Sequence, residues 1–196
     1  MASGISTDEG RARALPFVMI RGMPPTPPWY VLTGGPCAGK TTTIDELSRR
    51  GHPVLAESAR LIIEEKLARG KTIEEIVGDP EWLVSVVRRA AEMHREVPHH
   101  TFFFDRGIPD SVAYYRKSDV PLDDELVHAM REFRYRKIFL LDLVDFENDE
   151  ARSETPEEAQ LLHGSIRDAY AELGYEIVEV PVMTVEDRAD FVLANL

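Results

Sequence analysis

The stretch TGGPCAGKTTTIDEL, Thr33 to Leu47, follows a short apolar run and is the most chemically pointed part of the chain. Gly34, Gly39, Lys40 and Thr41 fit the spacing G-x-x-x-x-G-K-[ST]. Each position has a mechanical reason. The glycines permit backbone angles that aim successive N–H groups into one concavity. A helix starting at the end of the loop adds its positive pole. Lys40 is then placed to reach the β- and γ-phosphates of ATP, and the Thr41 hydroxyl to ligate Mg²⁺. Gly34, Gly35, Pro36, Cys37, Ala38, Gly39, Lys40, Thr41 and Thr42 are therefore expected to hold the nucleotide. Cys37 could serve as a redox-sensitive thiol near a helix N-terminus; a tolerated small residue is the simpler reading.

A second group of residues could supply the acceptor side of a phosphoryl transfer. In FFFDRGIPDSVAYYR (102–116), Asp105 closes an apolar run and Arg106 follows it. Ligands of open parallel sheets lie beyond the carboxyl ends of the strands, so Asp105 is expected to face the phosphates. It would hold Mg²⁺ or accept a proton from a substrate hydroxyl, and Arg106 would stabilise charge on the moving group. The alternative for Asp105 is a cap on the next helix. Glu57 ends an earlier apolar run and is a candidate general base; a helix-start carboxylate favoured by the dipole is the plainer reading. Arg60, one turn later, is expected to point towards an anionic acceptor. Asp110, Tyr114 and Tyr115 share one helix after DRG and are expected to line the acceptor pocket. The acidic segment 142–158 contains Arg152. As a mobile cover it would bring that arginine to the transition state; a solvated loop is the alternative. His94, His99 and His100 lie close together without further ligands, and read as surface histidines before a strand rather than as a metal site. The basic stretch REFRYRK (131–137) is explained equally well by a solvated helix end.

These residues need a scaffold that gathers strand ends. WYVLT (29–33), PVLAE (53–57), TFFFD (101–105), KIFLLDL (137–143) and YEIVEV (175–180) are short, apolar and rich in β-branched or aromatic residues, as strands covered on both faces should be. Helix signals lie between them. Thr72 with Glu75, Thr155 with Glu158 and Thr184 with Asp187 have capping-box spacing. Pro156 suits a first helical position, and Gly70 and Gly174 suit C-caps. Five strands alternating with helices specify an α/β fold: a parallel five-stranded sheet with helices on both faces. Residues 1–27 read as a partly disordered N-terminal extension, because RGMPPTPP holds four prolines and the preceding residues are small and polar.

The bulk properties bound the partners. A length of 196 residues with 43% hydrophobic residues suits one domain with a real core. A formal net charge of -12 opposes non-specific nucleic-acid binding. Cys37 is the sole cysteine, so no internal disulfide can form. No apolar run approaches the roughly 20 residues of a membrane span, and the N-terminus lacks the charged-then-apolar pattern of a signal. The expectation is a soluble cytoplasmic protein, monomeric or homodimeric, with no membrane partner.

GGPCAGKTT, AESAR, FFDRGIPDSVAYYR, ARSETPEEA and AYAELGYEIVEVP together resemble the small AAA-type predicted ATPase/kinase family of P-loop proteins. That family is similar to nicotinamide-riboside kinase domains and, more distantly, to thymidylate and deoxynucleoside kinases. The resemblance runs from Trp29 to Leu196 and implies a P-loop NTPase three-layer sandwich, kinase-like, over residues 28–196, with the first strand central. It places Asp105 and Arg106 at the Asp/Glu-Arg pair of nucleoside and nucleotide kinases, Glu57 at the strand-end base of deoxynucleoside kinases, and Arg152 where lid arginines occur. The DRG sequence lacks the serine or tyrosine that follows in better-known kinases, so substrate identity does not carry over. The function expected is an Mg-dependent kinase moving the γ-phosphoryl group of ATP to a hydroxyl or phosphate of a nucleoside-like or other small metabolite. The alternative is a regulatory ATPase that signals to a protein partner. A GTPase is disfavoured because no N-K-x-D sequence occurs, a AAA-type motor by the length of the chain, and a nucleic-acid-end kinase by its charge.

Overall fold

The computed structural model describes residues 26–144 and 155–196. In chain order the elements are β1 (Trp29–Thr33), α1 (Lys40–Arg49), β2 (Val54–Leu55), α2 (Ser58–Leu67), α3 (Ile73–Val77), α4 (Trp82–Arg95) and β3 (Phe102–Asp105), then α5 (Asp110–Lys117), α6 (Asp124–Glu132), β4 (Lys137–Leu141), α7 (Pro156–Glu172), β5 (Ile177–Val180) and α8 (Val185–Ala194). The five strands form one sheet in the order β2-β3-β1-β4-β5, and every pairing is parallel. This is the P-loop kinase-like α/β fold.

The apolar runs fall on strands because both faces of the sheet are covered. Alternate residues of one strand enter different cores. Val31, Phe104, Ile138 and Leu140 pack with α4, α5, α6 and α7. Tyr30, Leu32, Phe103 and Phe139 pack with α1 and α8. After β1 the chain builds β2 and β3 on one side and then crosses to β4 and β5 on the other, so the carboxyl end of β1 is a point where the strand order reverses, where ligands of such sheets bind. The register sets Leu32 beside Asp105 and Thr33 beside Leu140. The end of β3 is thereby fixed next to the loop that follows β1.

Four of the expected strands are shorter than their patterns, and β3 begins only at Phe102. β2 keeps only Val54 and Leu55, because it pairs with β3 alone and Glu57 is already the N-cap of α2. β4 stops at Leu141 and β5 begins at Ile177. The helix signals are realised at Thr72 and Thr155 as complete capping boxes, with Pro156 in the first turn. At Thr184 the hydroxyl accepts from the Asp187 amide, but it donates to the Asp187 side chain instead of completing the box. Gly70 and Gly174 have φ of 84° and 73°, the left-handed conformation that ends helices.

His94 is a correction to the surface reading. It lies on the inner row of α4, buried against Phe104 with ring centroids 4.6 Å apart. Its Nδ1 donates to the Ala90 carbonyl at 2.6 Å, and its Nε2 meets the Tyr135 hydroxyl at 2.8 Å. Burial lowers its pKa to about 4, so the ring is a neutral core group. His99 and His100 are exposed, as expected.

The Thr155 box holds the start of the helix that later supplies Tyr170 to the site. Thr155→Ala should cost about 1 kcal/mol, a fall of roughly 2–4 °C in Tm. Calorimetry showing an unchanged Tm would mean that the cap does not limit the stability of α7.

Candidate active site

The loop after β1 turns where only some residues can go. Gly34 has φ 140°, and a Cβ there would stand 2.6 Å from the Leu141 carbonyl oxygen. Gly39, the N-cap of α1, has φ 74°, and its Cβ would meet the Arg188 guanidinium at 2.6 Å. Cys37 is also left-handed, at φ 64°. Lys40 opens α1 and is buried, its Nζ donating to the Gly35 carbonyl at 2.7 Å. Burial and, next, the charge of Arg106 lower its pKa to about 8, against the opposing pull of Asp105, Glu57 and Asp110. Thr42 sits at the rim with its hydroxyl on the Gly39 carbonyl at 2.9 Å. Pro36 is half-buried in the loop, and Ala38 is fully buried beneath it.

Two residues that the sequence reading did not single out brace this loop. Arg188 on α8 is buried and donates to the Ala38 carbonyl at 2.6 Å; its Nε has no partner among the described residues. His163 on α7 accepts the Gly35 N–H on Nδ1 at 3.2 Å, and burial holds its pKa below the usual histidine value, which keeps it an acceptor. The signal for Arg188 was a charge on the buried row that it shares with Ala189 and Val192.

Beside the loop, Thr41 Oγ1 donates to Asp105 Oδ2 at 3.2 Å. The other oxygen of Asp105, Oδ1, is buried with no hydrogen-bond partner among the described residues. Burial, and then the charge of Glu57, push its pKa upward. Arg106 follows in the left-handed region at φ 68°, a conformation that costs of order 1–3 kcal/mol away from glycine. Several bonds hold it there. Its N–H donates to the Leu32 carbonyl at 3.0 Å. Its guanidinium donates to Glu57 Oε1 at 2.9 Å, Asp110 Oδ1 at 3.0 Å and the Gly34 carbonyl at 3.2 Å. Burial opposes the charge, but Tyr114, Glu57, Asp110 and Asp105 outweigh it and hold the pKa well above the usual arginine value.

Asp110 accepts four bonds: Thr33 Oγ1 at 2.5 Å, Arg106 Nη1 at 3.0 Å, the Gly107 amide at 3.1 Å and the Tyr170 hydroxyl at 2.5 Å. Four bonds fill the capacity of a carboxylate. The geometry makes Asp110 an anchor for Arg106. Tyr114 lies on the wall of the cavity, its ring 5.7 Å from the Arg106 guanidinium carbon. Tyr115 is a correction: it points away into the core, with its hydroxyl on Asp123, because it falls on the opposite side of α5. Arg60 is exposed on α2 and is not among the residues lining the cavity. Arg152 lies outside the described residues.

Glu57, Asp105 and Arg106 meet on the wall of a cavity of about 320 Å³ bounded by α2, α3, α4 and α5. The site therefore has two compartments: the glycine loop with Lys40 and Thr41, and a cavity on the far side of Asp105 and Arg106. Asp110→Ala should strand Arg106, Thr33 and Tyr170 together. Breaking a buried pair of this kind costs about 3–5 kcal/mol. Urea unfolding should show that loss, and a midpoint equal to that of the unaltered protein would remove Asp110 from its anchoring role.

A family model described as an AAA domain matches residues 29–188. A comparison with curated proteins finds no match. Among solved structures, the chain is similar to the NadR protein in complex with NR, at TM-score 0.64 and 18% identity, covering 85% of this chain and 48% of that one. It is similar to thymidylate kinase from Ehrlichia chaffeensis at TM-score 0.60 and 13% identity, covering 87% and 99%. It is also similar to deoxyadenosine kinase from M. mycoides with products dcmp and dcdp, at TM-score 0.58 and 12% identity, covering 85% and 97%. The chain thus spans about half of NadR and nearly all of the two kinases. These likenesses concern the fold.

Proposed function

We propose that this chain, which belongs to the AAA-domain family, is an ATP-dependent phosphotransferase that moves the γ-phosphoryl group to a hydroxyl or phosphate of a small acceptor. The observation that carries this reading is the Arg106 guanidinium, which spans from the Gly34 carbonyl of the phosphate loop to Glu57 at the cavity wall. One rigid cation thereby touches both compartments. A regulatory ATPase needs the loop but no second cavity, and the nucleoside and nucleotide kinases of similar fold add support.

The residues fit a divalent cation. Mg²⁺ takes oxygen ligands and completes its octahedron with phosphates and water. The Thr41 hydroxyl and the unpartnered Asp105 Oδ1 are such oxygens. Among the described residues no group of three or more His, Cys, Asp or Glu could hold a metal alone. When bound it would neutralise phosphate charge. In this reading Lys40 reaches the β- and γ-phosphates and Arg106 stabilises charge on the moving group. Glu57 accepts the proton of an acceptor hydroxyl, and Asp105 is the competing base.

Lys40→Ala should abolish phosphoryl transfer with an unchanged circular dichroism spectrum. Glu57→Gln should lower kcat by about 10²–10⁴-fold if Glu57 is the base, and Asp105→Asn should lower turnover far more than ATP affinity. Radiolabelled ATP with a panel of nucleosides, nucleotides, sugars and alcohols reads all three. ATP hydrolysis with no labelled acceptor anywhere in the panel would defeat the phosphotransferase reading, and full activity in Glu57→Gln would pass the base role to Asp105.

A further inference from the structure

The acceptor cavity has a polar floor and apolar walls. At the floor stand Glu57, Asp105 and Arg106, the groups that carry the chemistry. Above them, helices turn apolar rows towards empty space instead of towards a neighbouring element. On α4 one row presents Trp82, Val86 and Met93; α2 adds Ile63; α3 adds Ile73 and Val77 at the rim, 57% and 46% exposed. Helices put apolar rows at such spacing where they expect apolar contact, and here Ile63, Trp82, Val86 and Met93 are only half-buried and line the cavity.

The polar groups of the upper wall are already engaged. The Ser58 hydroxyl donates to the Val86 carbonyl at 3.4 Å, and both His94 nitrogens are paired within the core. Ser111 and Tyr114 belong to α5, the helix of the floor, and Tyr114 lies over Arg106. Amide side chains, which read a base edge by paired donor and acceptor, are nearly absent from the whole chain. The sequence has one glutamine, Gln160, and two asparagines, Asn148 and Asn195. Gln160 and Asn195 are not on the cavity wall, and Asn148 lies outside the described residues. A nucleobase packed against α2, α3 and α4 would lose water from its ring nitrogens and exocyclic groups with no amide side chain of the described residues to replace it, which is unfavourable.

We infer that the acceptor is an alcohol with an apolar body, alkyl or isoprenoid in character, its hydroxyl at the Glu57–Asp105 floor and its chain against α2, α3 and α4. For the chemistry this rests on the phosphotransferase reading; for the binding it does not. In the transfer, the alcohol oxygen forms a bond to the γ-phosphorus of ATP. The bond from that phosphorus to the β–γ bridging oxygen breaks, and its electron pair leaves on ADP. The hydroxyl proton passes to the Glu57 carboxylate, and the product is the alcohol's phosphate monoester.

Binding is tested first, on the full chain without nucleotide, with 1-alkanols from hexanol to dodecanol and with adenosine, thymidine and nicotinamide riboside. Titration calorimetry reads the affinity, and the emission of Trp82, isolated in a Trp29→Phe background, reads the place. Each added methylene should tighten Kd about threefold to fourfold until the cavity is filled, and decanol should bind more tightly than any of the nucleosides. Val77→Asn, at an exposed rim position, should weaken decanol several-fold and leave nucleosides and the circular dichroism spectrum unaffected. An affinity that ignores chain length, a nucleoside that outcompetes decanol, or decanol binding untouched by Val77→Asn would each overturn the inference. Labelled Mg-ATP then separates the two readings. Alkyl phosphate supports both. Labelled nucleoside with no alkyl phosphate keeps the phosphotransferase and overturns the apolar acceptor. Length-dependent binding without transfer to any acceptor supports the apolar site and counts against the phosphotransferase.

Discussion

Arg106 is held by three acceptors in a backbone conformation that arginine rarely adopts, and the site is arranged around that constraint. Its bonds run to the phosphate loop, to the N-cap of α2 and to α5, so one side chain sets the spacing of three elements. The left-handed turn is what lets the guanidinium fold back over the end of the sheet instead of continuing along β3. Buried Asp110 secures the opposite side, and it is itself secured by Thr33 of β1 and Tyr170 of α7. A planar group that donates to three separate acceptors in fixed directions is available to arginine and not to lysine.

The electrostatics follow from burying opposite charges close together. Lys40 and Arg106 are largely buried cations, and Glu57, Asp105 and Asp110 are the carboxylates around them. Burial alone would make each ion unfavourable; mutual proximity retains them. The arrangement leaves unmet capacity at one point, Asp105 Oδ1, between the loop and the cavity. On the other side of the loop, Arg188 adds a buried cation beneath the Ala38 carbonyl. A polyphosphate would meet positive charge from Lys40, Arg106 and Arg188 together with the start of α1.

Much of this was legible along the chain, because the candidate site sits at strand ends. Gly34 to Thr41 announce themselves by spacing, and Asp105 and Arg106 by following an apolar run. The sheet was legible too, since WYVLT, FFFD and KIFLL are buried on both faces. What stayed hidden depends on residues far apart. Asp110 lines the pocket as expected, and only Tyr170, 60 positions away, shows that it is also an anchor. Arg188 reaches Ala38 across 150 positions. The apolar cavity walls were hidden for a different reason: an amphipathic helix facing an empty cavity has the same sequence pattern as one facing the core.

The central claim is that Arg106 couples the phosphate loop to the acceptor floor by its fork and not by its charge alone. Arg106→Lys keeps the charge and removes the fork, so its phosphoryl-transfer rate is the most direct measurement. With an acceptor that the unaltered protein phosphorylates, transfer should fall by about 10²-fold or more, while ATP affinity stays within a few-fold. Transfer at the original rate in Arg106→Lys would contradict the coupling, and a loss confined to ATP affinity would make Arg106 a part of the phosphate loop alone.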